Sequence, residues 1–361
     1  MRLLLIFFLI PALNLLAESG SIRVPDGGIS PQCVTDSKGL THVVYYKGNP
    51  QSGDLYYSTI QKGSTDFGPS IRVNSQAGSA VAMGTIRAAH LALGKDNAVH
   101  IVWNASQKAK GQFLYSRSID GKSFSPQKDM KGKTAHMDGG GSIAANSQGH
   151  VFVVWHGNKA GTAGEENRRV FVARSNDNGE SFSPETEISP NDLGICPCCS
   201  LKAGARGNEV LILFRGAKGA SRDIYQLHSN DGGLTFSSSN LSKWRAQQCP
   251  MSSQSINSGS KGFVKAWEND GKIFFTNQSG KVMSIPGKGN KKHPFIVENS
   301  KGNLLIAWAE GTAWNRGGDL CWQEVSPVGV PLTKIERAKD QVKVWSLLSA
   351  FSDGEKFYIL H

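Results

Sequence analysis

One pattern recurs seven times along this 361-residue chain: a turn containing Gly, then a short run of apolar or β-branched residues, usually closed by an aromatic. The copies occupy 39–45, 98–103, 149–155, 207–214, 262–267, 302–308 and 354–360. Their closing aromatics, Tyr45, Trp103, Trp155, Phe214, Trp267 and Trp308, are spaced by 58, 52, 59, 53 and 41 residues. Each copy follows another apolar strand across a polar turn, as Pro31-Gln32-Cys33-Val34 precedes Asp36-Ser37-Lys38-Gly39. Two such strands form a hairpin, and a period of roughly fifty residues has room for two strands more. Four-stranded units repeated radially describe a β-propeller. The competing β-sandwich requires no internal repeat. The expectation is therefore an all-β chain, a β-propeller of four-stranded blades forming one domain over 18–361. Length alone would have suggested two domains.

A second motif falls late in the period. Ser175-Asn176-Asp177-Asn178-Gly179-Glu180-Ser181-Phe182 and Ser229-Asn230-Asp231-Gly232-Gly233-Leu234-Thr235-Phe236 share the spacing S-x-D-x-G-x-[ST]-F. A copy one residue shorter starts at Ser118 and Asp120 and ends at Phe124, and a degenerate one runs from Ser58 to Phe67. Such a segment suits a hairpin turn: Asp accepts from nearby N–H groups, Gly supplies a positive φ, and the aromatic packs between sheets. These residues resemble the Asp-box of the sialidase-like (BNR-repeat) propellers, with the repeat covering nearly all of the chain after residue 17. The resemblance implies a structural role for the boxes, on the face opposite the ligand site. Seven hairpins imply seven blades, with six, the number in sialidases, as the alternative. The last hairpin lacks outer strands of its own, and Ile22-Arg23-Val24 is expected to supply one, closing the ring and removing an exposed edge.

The chain carries a net charge of +11, but Lys291-Lys292 is among its densest basic clusters. With no basic run, no phosphate-binding glycine loop and no DNA-reading helix motif, a nucleic-acid partner is not expected. The charge suits an anionic small ligand or glycan. Residues 1–17 have a basic start, an apolar stretch broken by Pro11 and a small residue at Ala17, the parts of a signal peptide. A secreted or periplasmic protein with no membrane span follows, in a space where disulfides persist. A monomer is expected.

In sialidases the channel mouth holds three arginines that clamp a carboxylate, a Tyr nucleophile with its Glu, and an Asp. Here 210–216 resembles the stretch carrying one clamp arginine, which puts Arg215 in that position, followed by Arg222 and Asp223. Arg87, at the start of the second inner strand, is a further mouth candidate. The alternative for Arg215 is a hairpin-end ion pair with Asp223. Where the family has its Glu, this chain has Cys196-Pro197-Cys198-Cys199. No Tyr or Asp matches the remaining roles, so the catalytic residues stay unassigned.

The residues before each inner strand instead form a series of soft ligands. They are Cys33, Met83, His136 with Met137, Cys196 with Cys198 and Cys199, Cys249 with Met251, and His293. Thiolate, thioether and imidazole suit copper or zinc. In an extended strand Cys196 and Cys198 would face one side and Cys199 the other. The alternatives are a disulfide joining this cluster to Cys249 on the next blade, or free thiols. Two functions follow: a sialidase-like propeller that binds a glycan, a sialoside or other acidic sugar, with its hydrolysis left open, or a non-hydrolytic metal, redox or scaffold protein.

Overall fold

The computed structural model describes residues 19–109, 112–246, 249–287 and 289–361; the stretch 1–17, expected to be a signal peptide, lies outside the described residues. Seven β-sheets stand around one axis, so the propeller has seven blades and the six-bladed alternative falls. The inner strands are Ile29–Thr35, His90–Leu93, Ser142–Ala145, Lys202–Arg206, Ser255–Gly259, Lys291–Glu298 and Ser349–Asp353. Each lies beside the next, and the last returns to the first. In the first six blades the antiparallel path runs outward through four strands, with a short extra strand, Gly194–Ile195, in the fourth.

All seven copies of the sequence pattern are second strands of their blades. They read as continuous apolar runs because both faces of a blade are covered by its neighbours, which removes the alternation of a half-exposed strand. Tyr45, Trp155, Phe214, Trp267 and Trp308 are wholly buried and Trp103 nearly so. The core is accordingly distributed as clusters between blades: Val44, Tyr46 and Tyr57 of the first blade pack with Leu91, Ile101 and Trp103 of the second.

The seventh blade has two strands from the end of the chain, Ser349–Asp353 and Lys356–Leu360. Its third, Gly20–Ile22, comes from the amino-terminal side and pairs in parallel, Gly20 with Tyr358 and Ile22 with Leu360. This is the expected closure, shifted two residues upstream of 22–24.

The Ser-x-Asp turns knit the opposite face. Ser229 Oγ donates to Asp231 (2.7 Å) and accepts from Gly233 N (2.8 Å), while Asp231 accepts from the Thr235 hydroxyl (2.6 Å). Ser175, Asp177 and Gly179 repeat this geometry, and Ser118 with Asp120 forms the shorter version. Phe182 meets Tyr115 of the preceding blade edge-on at 5.0 Å, Tyr115 itself being bonded to His100 (2.8 Å). Phe236 packs against the cluster containing Phe152 and Leu227.

At the other face, where the chain enters each inner strand, six of the seven blades place one non-glycine residue at positive φ. These are Ser30, Thr85, His136, Met251, His293 and Trp345, with φ between 45° and 59°. Such backbone is costly for side-chain-bearing residues and is kept where the surroundings fix it. The exception is the fourth blade, which carries the cysteine cluster.

Candidate functional site

The inner strands enclose an axial cavity of about 530 Å³. Its wall carries Glu298, Asn257 and Lys202; Lys202 is on the fourth inner strand, and its Nζ lies 3.0 Å from His90 Nδ1 and 3.4 Å from Gln32 Oε1. No carboxylate pairs with it among the described residues. Burial pulls the ammonium down to about 8, opposed by the Cys33 thiol. Since Lys202 donates to Nδ1, the His90 proton belongs on Nε2, which is buried and unpartnered. Burial, with the Lys202 charge, holds His90 well below the usual imidazole range. His293 accepts from or donates to Ser253 Oγ at 3.1 Å, and burial with the adjacent Lys292 charge lowers it to about 3. The Lys202 amine thus meets a neutral imidazole and no paired carboxylate.

Above the channel lies a mouth pocket of about 50 Å³, lined by Lys292, Arg316, Lys343, Trp314, Trp345 and Met251 among others, with no carboxylate in its wall. Through Arg316, Lys343 and Trp345 it opens into a groove of about 570 Å³ toward the first blade, where Tyr46, Lys47 and Asp340 continue the wall. The three cations are steadied by carbonyls: Lys292 by Pro250 O (3.0 Å), Lys343 by Gly27 O (3.0 Å) and Arg316 by Gly311 O (2.9 Å). Their charge therefore remains available to an anion. Trp314 is 47% exposed on the loop after the strand Leu304–Glu310. That loop reaches across to the second blade, where a Cβ on Gly84 (φ +94°) would stand 3.5 Å from the indole and 2.6 Å from Arg87.

The arginines expected to clamp an anion are otherwise engaged. Arg215 is fully buried, donating to Arg222 O (2.6 Å), Asn269 Oδ1 (2.9 Å) and Glu268 O, with its guanidinium 4.9 Å from the Trp244 ring. It does not pair with Asp223, which instead accepts from Trp244 N (2.9 Å) and Asn240 Nδ2 (2.8 Å). Arg222 forks onto Glu165 (2.9 and 3.2 Å). Arg87 stands at the mouth but grips Asp138 and Met83 O.

The soft ligands divide. Cys33 lies inside the first inner strand, past the mouth, its thiol donating to Ala350 O (3.3 Å). His136 and Met83 contribute carbonyls to Arg168 and Arg87, while Met137 packs into the core beside the third blade. They form no ring around the axis. The four cysteines of the fourth and fifth blades do converge. Cys198 and Cys249 are joined as a disulfide, the cross-blade link expected in type, and Cys196 Sγ lies 3.4 Å from Cys198 Sγ and 3.6 Å from Cys199 Sγ. The opposed projection expected for an extended strand fails because 197–199 form a turn. Ser252 N donates to Cys199 Sγ (3.5 Å) and His156 Nε2 reaches Cys199 O (2.8 Å).

No family model matches the chain, and no curated protein matches it in sequence. Among solved structures it is similar to a protein of unknown function from Dyadobacter fermentans DSM 18053 (12% identity, TM-score 0.55, covering 86% of this chain and 94% of that one). It is similar also to the α-L-arabinanase of Penicillium chrysogenum complexed with arabinobiose (12%, TM-score 0.56, 83% and 93%). A third is Trypanosoma rangeli sialidase in complex with the inhibitor DANA (12%, TM-score 0.52, 79% of this chain and 53% of that one). The likeness is one of fold. The residues that build the mouth pocket, Trp314, Arg316, Lys343 and Trp345, escaped sequence reasoning. Lys292 stood out there as part of one of the densest basic clusters, and Met251 and His293 as soft-ligand candidates.

Proposed function

We propose that this protein is an exported propeller that binds an acidic glycan in the groove running from the channel mouth toward the first blade. The observation that carries the reading is a pocket wall combining Trp314 and Trp345 with Lys292, Arg316 and Lys343 and containing no carboxylate. An indole offers a flat apolar face to the C–H side of a sugar ring, while guanidinium and ammonium groups take carboxylate or sulfate. The arabinanase and sialidase neighbours, bound to arabinobiose and DANA, support a sugar as the ligand class. Within that class the basic wall favours a sialoside or uronate over a neutral sugar.

Hydrolysis by the common route needs two carboxyl groups flanking one bond, about 5 to 9.5 Å apart. Asp138 and Asp26 near the mouth are neutralised, by Arg87 and Lys47, and Asp340 is the one carboxylate in the groove wall. The reading is therefore binding without cleavage.

Titration of acidic and matched neutral oligosaccharides into the purified mature protein tests it. Acidic chains should bind, and more weakly as salt rises. Failure of every acidic chain to bind would sink the proposal, and turnover of a fluorogenic sialoside would remove its non-hydrolytic part. Export is tested by amino-terminal sequencing of the native protein, expected to start near residue 18.

A further inference from the structure

A disulfide that staples the fourth blade to the fifth needs only Cys198 and Cys249. Two more thiols nevertheless converge on it. Cys196 and Cys199 are each 1% exposed, and Cys196 Sγ stands 3.4 Å from Cys198 Sγ and 3.6 Å from Cys199 Sγ. The sulfurs of Cys196, Cys198 and Cys249 all lie within 4.8 Å of one another. A tetrahedral thiolate site with metal–sulfur bonds of about 2.3 Å places its sulfurs about 3.8 Å apart, close to the two distances found. The ligands come from two chain segments, three in the turn 196–199 and one in the next blade's mouth loop. Both segments are tied down: Cys196 N bonds Arg215 O (3.0 Å) and Ser200 N bonds Ser252 O (3.2 Å). The Ser252 N–H aimed at Cys199 Sγ supplies the outer support that metal-bound sulfur requires. Cys249 is exposed while the others are more covered, so an ion has an entry path from one side.

We propose that these four cysteines form a binding site for one thiophilic ion, Cu(I) or Zn(II), and that the Cys198–Cys249 disulfide is its closed, ion-free state. Opening the site takes two electrons and two protons from a dithiol reductant. The sulfur–sulfur bond breaks, Cys198 and Cys249 become thiols, and the reductant leaves as its own disulfide. The ion then replaces thiol protons, which pass to solvent. The inference is independent of the glycan reading, since the cluster shares no residue with the Trp314 pocket.

The test uses the mature protein, oxidised or reduced with dithiothreitol and desalted without oxygen. Thiol counting should give four in the oxidised form and six in the reduced, because Cys33, Cys196, Cys199 and Cys321 are free. Cobalt(II), as a zinc probe, and Cu(I) presented with a chromophoric chelator are then titrated. The reduced protein should bind one equivalent with a thiolate-to-metal absorption band, and the oxidised protein should not. The band should vanish in C196S/C199S and persist in C33S/C321S. Absence of binding by reduced protein that still melts cooperatively would overturn the proposal, as would an unchanged band in C196S/C199S. Should that variant not fold, alkylation of the wild type decides. Cys196 and Cys199 must be protected by the ion, and equal labelling with and without it would refute the site. Preference for cobalt or for copper identifies the ion.

Discussion

Lys202 offers the most direct physical test of the channel. Replacing it with Met keeps a similar length and removes the amine that burial holds at about 8. In the unfolded chain the same amine titrates near 10.4. The folded value is depressed, so between about pH 8 and 10.4 the unfolded state holds the proton that the folded state has released, and the Lys202 contribution to stability rises across that window. The gap corresponds to about 3 kcal/mol at full extent. The variant also loses the bond to His90 Nδ1, a cost of about 1–3 kcal/mol if that nitrogen stays unpaired, but this loss does not vary with pH. His90 and His293 are neutral throughout the window, and the Cys33 thiol, pushed up to about 12 by burial, stays protonated. The difference in slope between the two proteins therefore isolates Lys202. Denaturant unfolding at pH 7.5, 9 and 10.5 should show wild type gaining on Lys202→Met by up to about 3 kcal/mol. Parallel stability profiles would refute the reasoning, because they would mean the amine is solvated or paired with something that restores its charge.

Trp314→Ala should weaken acidic-glycan binding by about 1–3 kcal/mol with little change in melting temperature, since close to half of the residue is exposed; calorimetric titration reads the first and thermal unfolding the second. Trp308→Ala, at a wholly buried second-strand position, should cost about 3–5 kcal/mol in denaturant unfolding. Asp231→Ala should destabilise at neutral pH while leaving glycan affinity unchanged. Bonds from Thr235 and Ser229 hold that carboxyl below its usual range. Its stabilisation is full above the unfolded value of about 3.9 and lost on acidification, so wild type and variant should converge in acid.

The second strands were legible because a blade buried on both faces demands a continuous apolar run, and the chain supplies a turn glycine and a closing aromatic each time. The ring closure was legible because 349–360 had no outer partners of its own. The mouth was not. Arg215 has the residue type and place of an anion clamp, yet type does not reveal that Asn269 and two backbone carbonyls already take its donors. Trp314 and Trp345 lie on separate loops whose meeting depends on how far the sixth-blade excursion reaches, which no period encodes. The cysteines fell between these cases. Adjacency of two blades predicted a link to Cys249, but an extended reading of 196–199 hid the turn that brings Cys199 back toward Cys196.

The closing strand also determines how the ring would respond to force. Gly20–Ile22 runs parallel to Lys356–Leu360, so tension applied through the two chain ends pulls the strands from opposite ends of their shared ladder. The bonds are then loaded together in shear, whereas an antiparallel closure held the same way would peel one bond at a time. The smallest sheet in the molecule thus becomes its mechanical clasp, and a propeller tethered at both ends would hold until those few bonds fail at once.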